Sequence, residues 1–212
     1  MPTILITGFG PFPGAPFNPT IKLVRDLARL RRPALADVTL VGHVFETRYA
    51  AVDRDLPALI AQHRPDALLM FGLATRAKAI RIETRARNAL ALLPDAGGMA
   101  LRRGVIVGGA SVAHAMPVPA QRLLAATRAA RVPVHLSRDA GRYLCNYLCW
   151  RACETVASDG PRLAAFVHVP LTRRPSSVRP RESGDPGAKT ATDLLRAGQA
   201  ILVAMAAAVN RP

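Results

Sequence analysis

Aromatic side chains are few in this chain: one Trp, three Tyr and six Phe among 212 residues. A core short of rings must be filled by Ala, Leu, Val and Ile, and the apolar set does reach half of the sequence. That balance is normal for a globular protein, and the length suits one domain over 1–212 with a substantial core. Cysteine is also sparse. The three thiols, Cys145, Cys149 and Cys153, are odd in number and fall close together, so a disulfide framework lacks partners elsewhere in the chain. Their C-x3-C-x3-C spacing lines one helix face, without the C-x2-C pairs and nearby histidines of a metal site. Long hydrophobic runs are missing as well. The stretch Gln199 to Val209 falls short of the roughly 20 residues that span a bilayer. No basic segment precedes MPTILITG, which predicts no secretory signal. A cytoplasmic protein without a membrane partner is expected.

Acidic residues number 14 against 29 Lys and Arg, a formal charge of +15. Such an excess raises the question of nucleic acid. Lys contributes only Lys22, Lys78 and Lys189, and the arginines run from Arg25 to Arg211 with no dense run beyond a pair. Without clustering or interleaved rings, the charge reads as compositional habit, and no nucleic-acid partner is expected.

Short β-rich runs alternate with longer helical ones. Residues 3–7, 38–45, 67–71, 132–136 and 164–169 read as strands, most of them apolar on both faces. Residues 19–30, 49–63, 120–130, 142–157 and 192–209 carry helical periodicity. This alternation predicts an α/β fold, a three-layer α/β/α sandwich on a mostly parallel sheet. Residues 85–118 are glycine-rich and suggest extended loops or a small hairpin. Residues 172–190 are rich in Pro, Ser, Gly and charge, and read as a flexible surface loop.

The loop GFGPFPG at 8–14 follows the first strand. It is not a dinucleotide fingerprint, because Pro13 occupies the third glycine position. It is not a P-loop, because no Lys-Ser/Thr pair follows. It is a stiff turn at the carboxyl end of a central strand, where open α/β sheets place ligands. Phe9 and Phe12 either pack beneath it or face a ligand. Asn18-Pro19 fits an N-cap followed by the first helical position.

In DAGRYLCNYLCW, 139–150, a turn leads into a helical run, with Cys145 in the first turn. Unsatisfied N–H groups and the helix dipole favour an anion there. Together they supply about 0.3–1 kcal/mol, too little to ionise a thiol of pKa about 8.5 at neutral pH. A nucleophilic Cys145 therefore requires an imidazole beside it. His168, at the end of the apolar strand FVHVP, is the best placed of five histidines. A carboxylate must then orient that ring. Glu83, in AIRIETRARN, is flanked by apolar strand, although spacing alone favours an exposed partner for Arg81, Arg85 or Arg87.

ILITGFGPFPGAPFNP (4–19), Glu83 with Asn88, DAGRYLCN (139–146) and FVHVP (166–170) together resemble the pyroglutamyl-peptidase I family, also called pyrrolidone-carboxylate peptidases. The resemblance extends over nearly the whole chain. It implies a cysteine peptidase domain with Cys145 as nucleophile, His168 as general base and acid, and Glu83 orienting His168. It further implies Phe9, Phe12, Asn18, Leu73 and Tyr143 as substrate-binding residues, no cofactor and no metal. The implied substrate is a peptide with an N-terminal pyroglutamate, and the implied assembly a homotetramer or dimer. A loop without acidic residues agrees with a lactam that carries no ammonium. The chain departs from the family pattern at GLATRAK (72–78), in place of Gly-Gly-Arg, and at ALLPDAGG (91–98). In the latter, Leu92 and Leu93 stand where an arginine belongs and Ala96 replaces an Asn, with Arg85 a candidate substitute. Competing readings are a non-catalytic relative that binds a peptide or small amide, and a basic nucleic-acid-associated protein.

Overall fold

Three runs of apolar residues, β1 (Thr3–Phe9), β3 (Ala67–Leu73) and β8 (Leu163–Val169), are buried almost throughout. Strands apolar on both faces need cover on both sides, and that requirement sets the architecture. The computed structural model describes residues 1–12, 14–101, 104–158, 160–172 and 190–210. Most of the 172–190 loop expectation therefore lies outside the described residues.

The other strands are β2 (Thr39–Phe45), β4 (Ile80–Glu83), β5 (Arg85–Arg87), β6 (Ala113–Ala115) and β7 (Val134–Ser137). Of the eight strands among the described residues, six form one sheet, in the order β2-β1-β3-β8-β4-β7, while β5 and β6 make a separate antiparallel pair. All neighbours in the large sheet are parallel except β4 against β8. The sheet is thus mostly parallel, as the alternation of elements predicts, and 85–118 holds a short antiparallel pair whose two strands are joined by a long connection. β4 showed only as the apolar strand flanking Glu83, too short at four residues for a period, and the antiparallel step it introduces had no signal of its own.

Helices α1 (Pro19–Ala28), α3 (Ala120–Ala129) and α5 (Ala191–Val209) cover one face, and α2 (Tyr49–His63) and α4 (Leu144–Ala157) the other. Alternation along the strands divides the core accordingly. Ile80, Ile82, Ala165 and Val167 pack toward α5, whereas Met70, Ala164 and Phe166 pack toward α4. The larger of these side chains, Ile, Val, Met and Phe, each contribute about 1.5–3 kcal/mol when fully buried. A capping box between Thr190 and Asp193 starts α5. By length and composition α5 could cross a membrane, a difference from the sequence expectation that arises because the whole helix from Ala191, and not only its apolar stretch from Gln199, meets that length. Its buried stripe, including Leu194, Ile201, Leu202 and Met205, instead packs on the sheet.

Candidate active site

Glu83 faces Phe166 across the antiparallel β4–β8 ladder, and His168 lies two residues beyond Phe166. Residues two apart on a strand share a face, so Glu83 and His168 form a diagonal pair on the α4 side. Their contact is direct: His168 Nδ1 donates to Glu83 Oε1 at 2.8 Å, with Glu83 fully buried and His168 only 5% exposed. Glu83 is therefore not the exposed arginine partner that spacing favoured. Its register opposite Phe166 puts it on the buried α4 face.

With Nδ1 committed, Nε2 is the ring nitrogen left for Cys145, which lies within hydrogen-bonding reach of the ring. Burial alone would lower the His168 pKa. The charge and hydrogen bonds of Cys145 and Glu83 outweigh it and raise the pKa to about 9. The imidazolium is thereby favoured at neutral pH, which is the state that sustains a thiolate beside it.

The sulfur reaches the ring because β3 makes room. Gly72 pairs with His168, and a Cβ built on Gly72 would lie 2.8 Å from Cys145 Sγ and 2.6 Å from the Phe166 ring. No side chain fits there. Cys145 itself occupies the second position of α4, whose first turn has no side-chain cap, so backbone N–H groups beside the sulfur are left without a side-chain acceptor. The preceding turn is closed by Asp139, which accepts from the Gly141 N–H, and Gly141 adopts φ +84°. Asn146 then ties the helix to β5. Its Oδ1 accepts from the Arg87 N–H at 2.9 Å, and its Nδ2 donates to the carbonyls of Arg87 and Ala89.

Cys149 and Cys153 are buried behind Cys145. Burial pushes the Cys149 thiol well above its ordinary pKa and that of Cys153 up to about 12, so both remain protonated filler. Among the described residues no group of three or more His, Cys, Asp or Glu converges as a metal would require.

The residues expected around substrate are placed in different ways. Tyr143 caps the nucleophile's helix, donates its hydroxyl to the Pro94 carbonyl at 3.1 Å and packs edge-on against Tyr49. Its phenol pKa is raised by burial and by the nearby Asp95 and Cys145 charges. Leu73 ends β3 beside Val169, one residue from Gly72. Phe9 is 3% exposed and packs its ring against Phe45 in the α4-side core, while Phe12 is half-buried and bridges to Ala15. Asn18 caps α1, accepting from the Thr20 N–H and donating to the Gly10 carbonyl, so its polar atoms hold the loop. Leu92 and Leu93 are exposed.

Three supporting residues had no role in the sequence reading. Gly72 was seen only as a departure from a pattern. Asn146 stood in a quoted motif unassigned, although a polar residue amid LCNYLCW is a signal, since buried polar groups require partners. Asp95 accepts from the backbone N–H groups of Tyr49, Gly97 and Met99 and so folds the 91–98 segment against α2.

The family model described as pyroglutamyl peptidase matches residues 2–210. The pyrrolidone-carboxylate peptidase of Pyrococcus furiosus is 32% identical over 169 residues, covering 79% of this chain and 80% of that protein. The enzyme of that name from Vibrio vulnificus is 32% identical over 181 residues, covering 84% and 82%. The solved pyrrolidone carboxyl peptidase from Thermococcus litoralis matches with a TM-score of 0.84 at 26% identity, over 97% of this chain and 94% of that one. Because the match begins before the first strand and ends beyond the last helix, taking in every element that carries the site, this chain belongs to the pyroglutamyl peptidase family.

Proposed function

We propose that the chain is a cysteine peptidase that removes an N-terminal pyroglutamyl residue from peptides through a thioester acyl-enzyme. The observation that carries this reading is the shared imidazole: His168 holds Glu83 on Nδ1, and Cys145 acts on the same ring by charge and hydrogen bond. A thiol, an imidazole and a carboxylate in that order are the parts of an activated nucleophile.

The Cys145 thiolate attacks the pyroglutamyl carbonyl, and the negative charge that develops on oxygen meets backbone N–H groups in the uncapped first turn of α4. Each such donor is worth about 2.7–4 kcal/mol in comparable sites. His168 then passes its proton to the departing amine as the C–N bond breaks, leaving a thioester on Sγ. Water adds to the thioester with His168 as base, and pyroglutamate leaves as the thiolate is restored. Glu83 keeps the ring oriented and its proton on Nδ1 throughout. Tyr143, Leu73, Phe9 and Phe12 line or shape the lactam pocket in this reading, with Asn18 holding its loop. The chain acts as a single peptidase domain over 1–212, cytoplasmic, in a homotetramer or dimer, without nucleic acid or membrane as partner.

The test is release of a chromogenic amine from its pyroglutamyl amide. Cys145→Ser should lower kcat/KM by at least about a thousandfold, while Cys149→Ala retains turnover. Equal loss in both variants, or no turnover by the unmodified chain between mildly acidic and alkaline pH, would sink the reading.

A further inference from the structure

The strand registers place four residues in one row across the sheet. Gly72 pairs with His168, His168 with Arg81, and Arg81 with His135. Directly paired residues share a face, and the strand neighbours of Arg81, Ile80 and Ile82, are buried in the opposite cluster. The row therefore lies on the face that carries Cys145, whose sulfur sits over Gly72. Adjacent strands are about 5 Å apart. Along the row come sulfur, then imidazole, then guanidinium.

That order sets the direction of the substrate. The group that protonates the departing amine must stand on the leaving-group side of the nucleophile. With the acyl group on the β1 side and the carbonyl at Cys145, the amine lies over β8, and the residue bearing it extends toward β4. Arg81 is the next side chain in the row. It forms no ion pair among the described residues, unlike Arg87, Arg151 and Arg196. Its Nε is shut away from solvent with no acceptor. The neighbouring carboxylate on its own strand, Glu83, gives Oε1 to His168 and leaves Oε2 buried without a hydrogen-bond partner, and it forms no ion pair with Arg81. A sheltered cationic donor without an acceptor is costly until a ligand supplies one.

We propose that Arg81 is a specificity-determining residue that binds a carboxylate on the residue immediately after the scissile bond, so that peptides with an acidic or free-carboxylate residue there are preferred. The proposal rests on the peptidase reading above. Planar guanidinium pairs well with a carboxylate from either source, a side chain or a chain terminus.

Two substrate pairs separate those sources: pyroglutamyl-Glu-amide against pyroglutamyl-Gln-amide, and pyroglutamyl-Ala against pyroglutamyl-Ala-amide. In at least one pair kcat/KM should favour the carboxylate by about tenfold at low salt, chiefly through KM. Arg81→Gln should bring that ratio close to one, and Arg81→Lys should restore part of it. If Arg81→Gln does not fold, collapse of the ratio with added salt in the unmodified chain carries the same information. Ratios near one for both pairs in the unmodified chain, a salt-independent ratio, or a ratio unchanged in Arg81→Gln would overturn the proposal. Failure to cleave any of the four substrates would instead overturn the peptidase reading on which it rests.

Discussion

His168 is the residue at which charge, burial and chemistry meet. Its folded pKa, about 9, lies above the ordinary value of 6.5. The imidazolium is thus held by the fold, and its contribution to stability is fully present below pH 6.5 and is lost as pH rises through about 9. Activity that depends on the same proton should fall along the same alkaline limb. Glu83→Gln keeps the size of the buried side chain but removes one of the two charges that raise the ring's pKa. That variant should move the alkaline limb of a kcat/KM profile to lower pH and reduce the plateau by about a hundredfold or more. A limb left in place would mean that His168 is not the group being titrated. Gly72 acts at the same scale through what it lacks. Gly72→Ala would put a methyl into the space shared by Sγ and the Phe166 ring, and overpacking of this kind costs about 1–3 kcal/mol. A lower urea midpoint with kcat strongly reduced is expected, whereas unchanged turnover would show that the sulfur has room to shift.

At the scale of elements, the first turn of α4 is held from the side by β5. Asn146 is fully buried and satisfies three backbone groups of residues 87 and 89. Asn146→Ala removes that partner from the Arg87 N–H and the Ala89 carbonyl, at about 1–3 kcal/mol for each one that water cannot reach, while the Arg87 carbonyl keeps the Ala89 N–H. Equilibrium unfolding should show a loss of several kcal/mol, with kcat lowered in the fraction still folded because Cys145 is the adjacent residue. A loss confined to stability would separate the anchor from the chemistry. Elements like α4 and β8 were legible in the sequence because their periods are long enough to read, and the thiol and the strand-end histidine could be picked out by the chemistry they need. Glu83 was not legible from spacing. Its inward orientation depends on the register that sets it opposite Phe166 of β8, a pairing between residues more than eighty positions apart that no local pattern encodes. The same limit hid Gly72, whose emptiness has meaning only once Phe166 and Cys145 are seen to fill it.

For the molecule as a whole, the sheet divides two tasks between its faces. The α4 side carries Cys145, His168 and Glu83 together with its own core cluster, while the α5 side is packed almost wholly from aliphatic residues. Leu202 is fully buried on that second face, within α5. Leu202→Ala should cost about 2–5 kcal/mol through lost burial and the cavity left behind. Its effect on the chemistry should be small, because the sheet stands between the cavity and the sulfur, and close-packed strands relax little around a missing methyl group. The expected result is a large fall in the urea midpoint with kcat, measured well below that midpoint and corrected for folded fraction, within about twofold of the unmodified chain. A comparable fall in kcat would mean that the two faces are mechanically coupled through β3 and β8, and that the row of residues at their carboxyl ends depends on packing beneath the sheet as much as on the helix above it.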